Sequence, residues 1–287
     1  MPIVYLNGSF LPHAQAQLSI DDRAALFADG VYEVIRCQNG KPFALARHEA
    51  RLRESLQGTQ IAPPARFFES LPAVIGDLLA KNSLKDAKIY LQISRGSAPR
   101  NHVFEAQMAP TVLLTTDKIA PYDAAAPVKP LTAMLAEDTR WARCCWKTLM
   151  LLPNTLARTA AARAGHGEAL FVRSEPGETR ITEGSATNAW AVIGGVLRTH
   201  PANKWILPGI TRMTLLEEAQ LAHIPVEERA FTPMELETAS ECFVSGTITG
   251  VAAITAVDGR PVGNGQVGPI TQTLYVRLAA RVAHECA

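Results

Sequence analysis

Ile3-Val4-Tyr5-Leu6 leads to Asn7-Gly8, and Val31-Tyr32-Glu33-Val34-Ile35-Arg36 leads to Asn39-Gly40. An extended apolar run followed by Asn-Gly signals a tight hairpin, because both central positions of the turn need positive φ. In the second run Val31, Glu33 and Ile35 share one face, and Tyr32, Val34 and Arg36 share the other. The period then lengthens. Leu52 and Leu56 predict a helix over 47–58, and Phe67, Leu71, Val74, Ile75 and Leu78 predict a second over 65–81. Lys88–Ser94 and Thr111–Thr115 read as strands, so the first half is α+β.

The stretch from Ile119 to Pro130 holds three prolines and the run Ala124-Ala125-Ala126, the composition of a linker. It divides the chain into expected domains 1–120 and 121–287. Beyond it, Asn154 is positioned to cap an Ala-rich helix that ends near Gly165 or Gly167. Strands are expected at 168–173 and 188–199, the latter broken at Gly194-Gly195. Pro208-Gly209-Ile210-Thr211-Arg212 precedes a helix through Ala222. Strands at 241–245 and 251–257 end at Asp258-Gly259, and a terminal helix starts near Pro269. Two α/β-type domains with mostly antiparallel strands fit this order.

Composition narrows the field. With 287 residues, 47% of them hydrophobic, the chain can bury one large core or two medium ones. A net charge of +1, with scattered charges, points away from nucleic acid and anionic membranes as partners. No apolar run reaches transmembrane length, and Met1–Phe10 has no signal-like pattern. The five cysteines form no C-x-x-C pair and show no metal spacing, so free thiols in a cytoplasmic setting and no bound metal are expected.

Lys147 is the oddest charge in the chain, set between Trp146 and Leu149-Met150-Leu151-Leu152. A lysine there is costly to bury, which makes it a candidate covalent lysine; the bland alternative is a snorkelling lysine at a strand end. Gly209-Ile210-Thr211 starts a helix whose free N–H groups suit a phosphate, unless it is simply an ordinary helix start. Ser245-Gly246-Thr247-Ile248-Thr249 is a second hydroxyl-rich turn, and Arg51 can balance an anion if it is not a solvated helix residue. Glu183 stands before small polar residues and suits a partner for a pyridinium nitrogen, although a loop glutamate reads the same way. Such a pair attracts by about 5 kcal/mol before desolvation at an effective dielectric of ~20. Arg95-Gly96-Ser97-Ala98-Pro99-Arg100-Asn101-His102 joins two arginines and a histidine in one loop, as a carboxylate clamp or as a solvated basic loop.

Taken together, five ordered blocks resemble the fold-type IV pyridoxal-phosphate enzymes. They are Asp22-Arg23 with Phe27-Ala28-Asp29-Gly30-Val31-Tyr32-Glu33; His48 with Arg51-Leu52 and Ser55; Trp146-Lys147-Thr148 with Leu152-Pro153-Asn154; Glu183-Gly184-Ser185 with Asn188; and Leu207-Pro208-Gly209-Ile210-Thr211-Arg212. The resemblance spans almost the whole chain. It implies a two-domain α+β fold, with a small N-terminal α/β sandwich-like domain and a larger C-terminal pseudo-barrel α/β domain. It implies pyridoxal 5'-phosphate as cofactor, Lys147 as its Schiff-base lysine and Glu183 as partner of its pyridine nitrogen. Arg51, Gly209, Ile210, Thr211 and Thr247 would hold the phosphate, and Leu207 would pack on the ring. Gly246 stands where relatives often carry a further hydroxyl, and Gly250-Val251-Ala252-Ala253 lacks an acidic residue that some have.

Within the family the Arg95–Phe104 stretch is most similar to that of the D-amino-acid transaminases. That likeness implies a trap for the substrate α-carboxylate made by Tyr32, Arg100 and His102, with the loop reaching in from the other subunit of a homodimer. The implied reaction moves the amino group of D-alanine- or D-glutamate-type substrates to 2-oxo acids such as pyruvate or 2-oxoglutarate. Aminodeoxychorismate lyase, branched-chain L-aminotransferase and (R)-amine transaminase activities are the alternatives within the family. A cofactor-binding scaffold without turnover is the alternative outside it.

Overall fold

The computed structural model describes residues 1–175 and 177–287. Its contacts form two compact units: Met1–Pro121 with Trp146–Met150 and Val282–Ala287, and Tyr122–Cys145 with Leu151–Arg281. The segment around Lys147 therefore clusters with the first unit, although it follows the linker in sequence. Among the described residues no helix is long and apolar enough to cross a membrane.

The first unit contains β1 (Ile3–Leu6), β2 (Ser9–Pro12), α1 (Arg23–Phe27), β3 (Gly30–Gln38), β4 (Lys41–Pro42), α2 (Leu45–Thr59), α3 (Phe67–Lys81), β5 (Ala87–Ser94) and β6 (Thr111–Lys118). Its strands make an antiparallel sheet in the order β2-β1-β6-β5-β3-β4. Both Asn-Gly turns form, with positive φ at Asn7, Gly8, Asn39 and Gly40, so the backbone meets the demand that the dipeptides signal. Leu52 and Leu56 of α2 and Leu71, Ile75 and Leu78 of α3 pack with Val31, Ile35, Ile89, Leu91 and Ile93 of the sheet. The helical stripe at i, i+3 and i+4 thus buries against alternate strand residues. Glu33 shares that aliphatic face and is 0% exposed, which requires charged partners from α2.

The second unit contains β7 (Lys129–Glu137), α4 (Leu152–Arg163), β8 (Glu168–Glu175), β9 (Glu178–Gly184), β10 (Asn188–Ile193), β11 (Val196–Thr199), α5 (Ile210–Leu221), β12 (Val226–Glu227), α6 (Pro233–Glu237), β13 (Glu241–Gly246), β14 (Gly250–Val257), β15 (Arg260–Pro261) and α7 (Pro269–Glu285) as far as Arg281. Its sheet runs β12-β11-β10-β13-β14-β7-β8-β9, with β15 on β14. The pairs β14–β7, β7–β8 and β11–β12 are parallel and the others antiparallel.

Three sequence expectations are corrected here. The stretch read as linker to Pro130 already contains the first residues of β7, which pairs on both sides in parallel. Pro130 is tolerated because it stands at the second residue of the strand, where few ladder bonds depend on it. Asn154 does not cap α4. The cap is Leu151, Pro153 sits in the first turn, and Asn154 Nδ2 donates to Ser185 O at 2.8 Å. Glu183 lies on a strand, β9, and not in a loop.

Leu78 is 0% exposed at the centre of the first core. Leu78→Ala should therefore cost about 2–5 kcal/mol in denaturant unfolding. A loss below about 1 kcal/mol would mean that α3 does not pack there as described.

Candidate active site

In the first unit, the Trp146–Met150 segment is laced onto the start of β3. Tyr32 N donates to Lys147 O at 2.9 Å, Leu149 N donates to Gly30 O at 3.0 Å, and Val31 pairs with Thr148. Lys147 N donates to Ser55 Oγ of α2 at 3.0 Å. Two glycines make room. A Cβ on Gly58 would fall 2.1 Å from the Trp146 ring, and one on Gly30 would fall 2.7 Å from Leu149 Cδ1. Lys147 is half-buried in irregular backbone, so the strand-end reading does not hold. Of its apolar escorts, Trp146, Leu149 and Leu151 are half-buried, and Met150 and Leu152 are exposed, Leu152 at 69%. The Lys147 ammonium lies 4.3 Å from the Tyr32 ring centroid, a cation–π contact.

Arg51 is buried, which overturns the solvated-helix reading. His48, Arg51 and Ser55 fall on one face of α2, above β3. Arg51 Nε and Nη2 donate to Glu33 Oε1 and Oε2 at 2.8 and 2.7 Å, and His48 Nδ1 lies 2.7 Å from Glu33 Oε2. Burial pushes the Glu33 carboxyl up, but the Arg51 charge and the Arg51 and His48 hydrogen bonds outweigh it and hold it at about 2. Burial lowers His48 against the pull of Glu33, and Nδ1, which faces a carboxylate oxygen, is the donor. His48 Nε2 is buried without a hydrogen-bond partner.

The Arg95–His102 loop splits into two kinds of arginine. Arg95 is buried, donating to both Asp29 oxygens and to the carbonyls of Thr59 and Gln60. Arg100 and His102 are exposed. Phe27 is a neighbour of both, its ring centroid 5.3 Å from Arg100 Cζ and 5.4 Å from the His102 ring.

In the second unit, Glu183 is the penultimate residue of β9 and is 5% exposed. Its carboxylate accepts from Arg140 Nη1 at 2.5 Å, from Asn188 Nδ2 at 3.0 Å and from Leu207 N at 3.1 and 3.2 Å. Arg140 in turn donates from Nε and Nη2 to Asp138 at 2.9 Å, and Arg173 stands 3.2 Å from the same Asp138. Charge alternates along the chain Glu183, Arg140, Asp138, Arg173. Burial pushes the Glu183 carboxyl above its usual range while Arg140 and the Leu207 N–H pull it down. Arg140 stays charged, because its two carboxylate partners outweigh its burial.

Asn188 opens β10 and also donates to Leu207 O at 2.9 Å. A Cβ on Gly209 would fall 2.0 Å from Asn188 Oδ1. Gly209 caps α5 with no side chain to offer, and Ile210 and Thr211 of the first turn are buried. The helix start thus keeps its positive end free of a side-chain cap. Beside it, the Gly184–Thr187 turn is pinned by buried Glu168, which accepts from Ser185 Oγ and Thr187 Oγ1. Thr247 is half-buried in the β13–β14 turn, and its carbonyl accepts from the Tyr122 hydroxyl at 2.9 Å. Ser245 Oγ is engaged by Trp190 Nε1 at 2.9 Å.

Tyr32, Arg51 and Lys147 thus gather around β3 and α2 in one unit. Glu183, Leu207, Gly209, Ile210 and Thr211 gather around β9, β10 and α5 in the other. Sequence reasoning missed Arg140 and Asp138, which carry no local pattern. It quoted Glu33, His48 and Asn188 without giving them roles. The signal for Asn188 was its spacing, five residues past Glu183 across one tight turn. Among the described residues, no group of His, Cys, Asp or Glu is arranged to hold a metal ion.

The Glu33 pair carries a pH signature. Its carboxyl titrates at about 2 when folded, against an ordinary 4.5. Its stabilisation is therefore complete above about pH 4.5 and lost as pH falls toward 2. Glu33→Gln should destabilise by about 3 kcal/mol near neutrality, since it removes the anion that buried Arg51 faces. Denaturant titrations should show that difference shrinking through the same window; a constant difference would rule Glu33 out as the titrating group.

Known proteins resemble this chain in sequence and fold. The family model for Amino-transferase class IV matches residues 30–257. A D-alanine aminotransferase from Staphylococcus haemolyticus is 38% identical over 276 residues, covering 96% of this chain and 95% of the relative. The branched-chain amino acid aminotransferase of Escherichia coli superposes with a TM-score of 0.85 at 27% identity, covering 95% of this chain and 92% of that one. The branched-chain aminotransferase of the thermophilic archaeon Thermoproteus uzoniensis, with norvaline, superposes with a TM-score of 0.85 at 26% identity, covering 98% and 95%. The chain belongs to the class IV aminotransferases, whose chemistry runs on pyridoxal 5'-phosphate.

Proposed function

We propose that this enzyme moves the amino group of D-amino acids, of the D-alanine or D-glutamate type, to 2-oxo acids such as pyruvate or 2-oxoglutarate. The observation that carries this reading is the 38% identity to a D-alanine aminotransferase across nearly both full chains. Two features of the second unit support the cofactor reading. Glu183 is a buried carboxylate with lone-pair capacity beyond its three donors, as a partner for a protonated ring nitrogen requires. The α5 start, bare of side-chain caps, suits a phosphate.

On this reading Lys147 Nζ holds the cofactor covalently and, when free, takes the substrate α-proton and returns it. Glu183 keeps the ring nitrogen protonated. Arg51, Gly209, Ile210, Thr211 and Thr247 hold the phosphate, and Leu207 packs on the ring. When bound, the cofactor supplies an electron sink for charge developing at the substrate α-carbon. Tyr32, Arg100 and His102 fix the carboxylate and so decide which enantiomer presents its α-proton to Lys147. Arg100 and His102 are exposed and stand by Phe27. Their exposure supports a homodimer in which this loop serves the partner subunit's site.

Lys147→Ala should lose the visible absorbance of the lysine-bound cofactor together with turnover; retained turnover would remove Lys147 from the reaction. Arg100→Ala should raise KM for D-alanine by about thirtyfold or more, the worth of one charged carboxylate contact, and leave cofactor binding unchanged. An unchanged KM would place the carboxylate elsewhere. The branched-chain neighbours favour L-leucine as the competing donor. Paired assays of D-alanine and L-leucine against 2-oxoglutarate separate the two, and preference for L-leucine would overturn the D-amino-acid reading.

A further inference from the structure

Arg23 is the first residue of α1 and is 4% exposed. A buried cation at a helix N-terminus runs against the helix dipole, and it orders a long side chain. The helix does not need it, since Asp22 caps α1 by accepting from Ala24 N at 2.8 Å. The arginine faces elsewhere. Its Nε donates to Asp29 Oδ2 at 2.7 Å, and its Nη1 donates to the carbonyl of Asn101 at 2.7 Å. Asn101 stands between Arg100 and His102, so this bond lands on the backbone at the centre of the expected clamp.

The loop is anchored on both sides of that point. Arg23 N donates to Gly96 O at 2.9 Å, and Ala98 N donates to Asp21 O at 3.2 Å. Past the clamp, the Phe104 ring lies 3.6 Å from Arg95 Cζ. Asp29 joins the two arginines, taking Arg95 Nε and Nη2 at 2.8 and 2.9 Å. Between the Ala98 and Phe104 anchors, the Arg23–Asn101 bond ties the middle of the arc to the body of the unit. Arg23 also lies 4.6 Å from the Phe27 ring centroid, the ring beside Arg100 and His102.

We infer that Arg23 is a positioning residue for the substrate carboxylate: its hydrogen bond to Asn101 O sets the reach of Arg100 and His102. The inference rests on the proposal that those two side chains grip the carboxylate. A lysine cannot replace it in full, because one ammonium cannot reproduce the fork that spans Asp29 and the carbonyl.

Steady-state kinetics of the holoenzyme test this with Arg23→Met, with Arg100→Ala/His102→Ala, and with all three changes together. Arg23→Met should raise KM for D-alanine about tenfold, the worth of one charge-assisted hydrogen bond, with kcat and cofactor affinity within about twofold. In the triple variant, Arg23→Met should add less than about twofold to the loss in kcat/KM, because it acts through the clamp. A KM unchanged in Arg23→Met but raised in the clamp variant overturns the inference and leaves the clamp standing. So does a tenfold loss that persists in full without the clamp. A KM unchanged in the clamp variant overturns the clamp itself, and the inference with it. Should Arg23→Met fail to fold, Arg23→Lys keeps a charge beside Asp29 and is judged by the same comparisons.

Discussion

A carboxylate taken out of water must be matched by charge and hydrogen bonds or it takes up a proton, and Glu183 is the residue on which this structure meets that demand. The penalty for an unmatched buried ion is several kcal/mol. Here it is met by Arg140, whose other nitrogens are held by Asp138, which is itself held by Arg173. The alternation matters more than any one pair. It lets Glu183 stay an acceptor while its burial keeps its affinity for a proton high.

Glu33 solves the same problem with the opposite result. It too is buried, but Arg51 meets it with two nitrogens and His48 adds a third contact, so it stays ionised far into acid. The difference lies in the neighbours. Arg140 divides its charge between two carboxylates, whereas Arg51 points two nitrogens at one. Glu33 therefore acts as a fixed anion that orients Arg51 and His48.

Legibility in the sequence followed locality. Asn7-Gly8 and Asn39-Gly40 specify turns through their own backbone preferences, and α2 and α3 show their buried stripes directly. The strands β7 and β9 were not legible. Leu131-Thr132-Ala133-Met134-Leu135 follows prolines that read as a linker, and its strand character comes from parallel partners far away in the chain. The residues Glu178-Thr179-Arg180 carry no alternation, and pairing with β8 makes them a strand. At the site, Lys147 and Glu183 could be singled out by type and by setting. Arg140 could not, because one arginine among many acquires meaning only from the carboxylates that converge on it in space. The resemblance of ordered blocks proposed roles for the candidate residues, whereas spacing alone left each of them open.

Asn188 works as a caliper. One face of its amide grips Glu183 and the carbonyl of Leu207, and the oxygen of the same amide lies where a side chain at position 209 would begin. The acid and the start of α5 are therefore held at one fixed separation by a single planar group that does not stretch. Bulk added at Gly209 would have to displace that plane, whose amide nitrogen is the one that Glu183 holds. A change made at the helix start would be felt as an altered proton affinity at the acid, on the far side of an amide only a few ångströms wide.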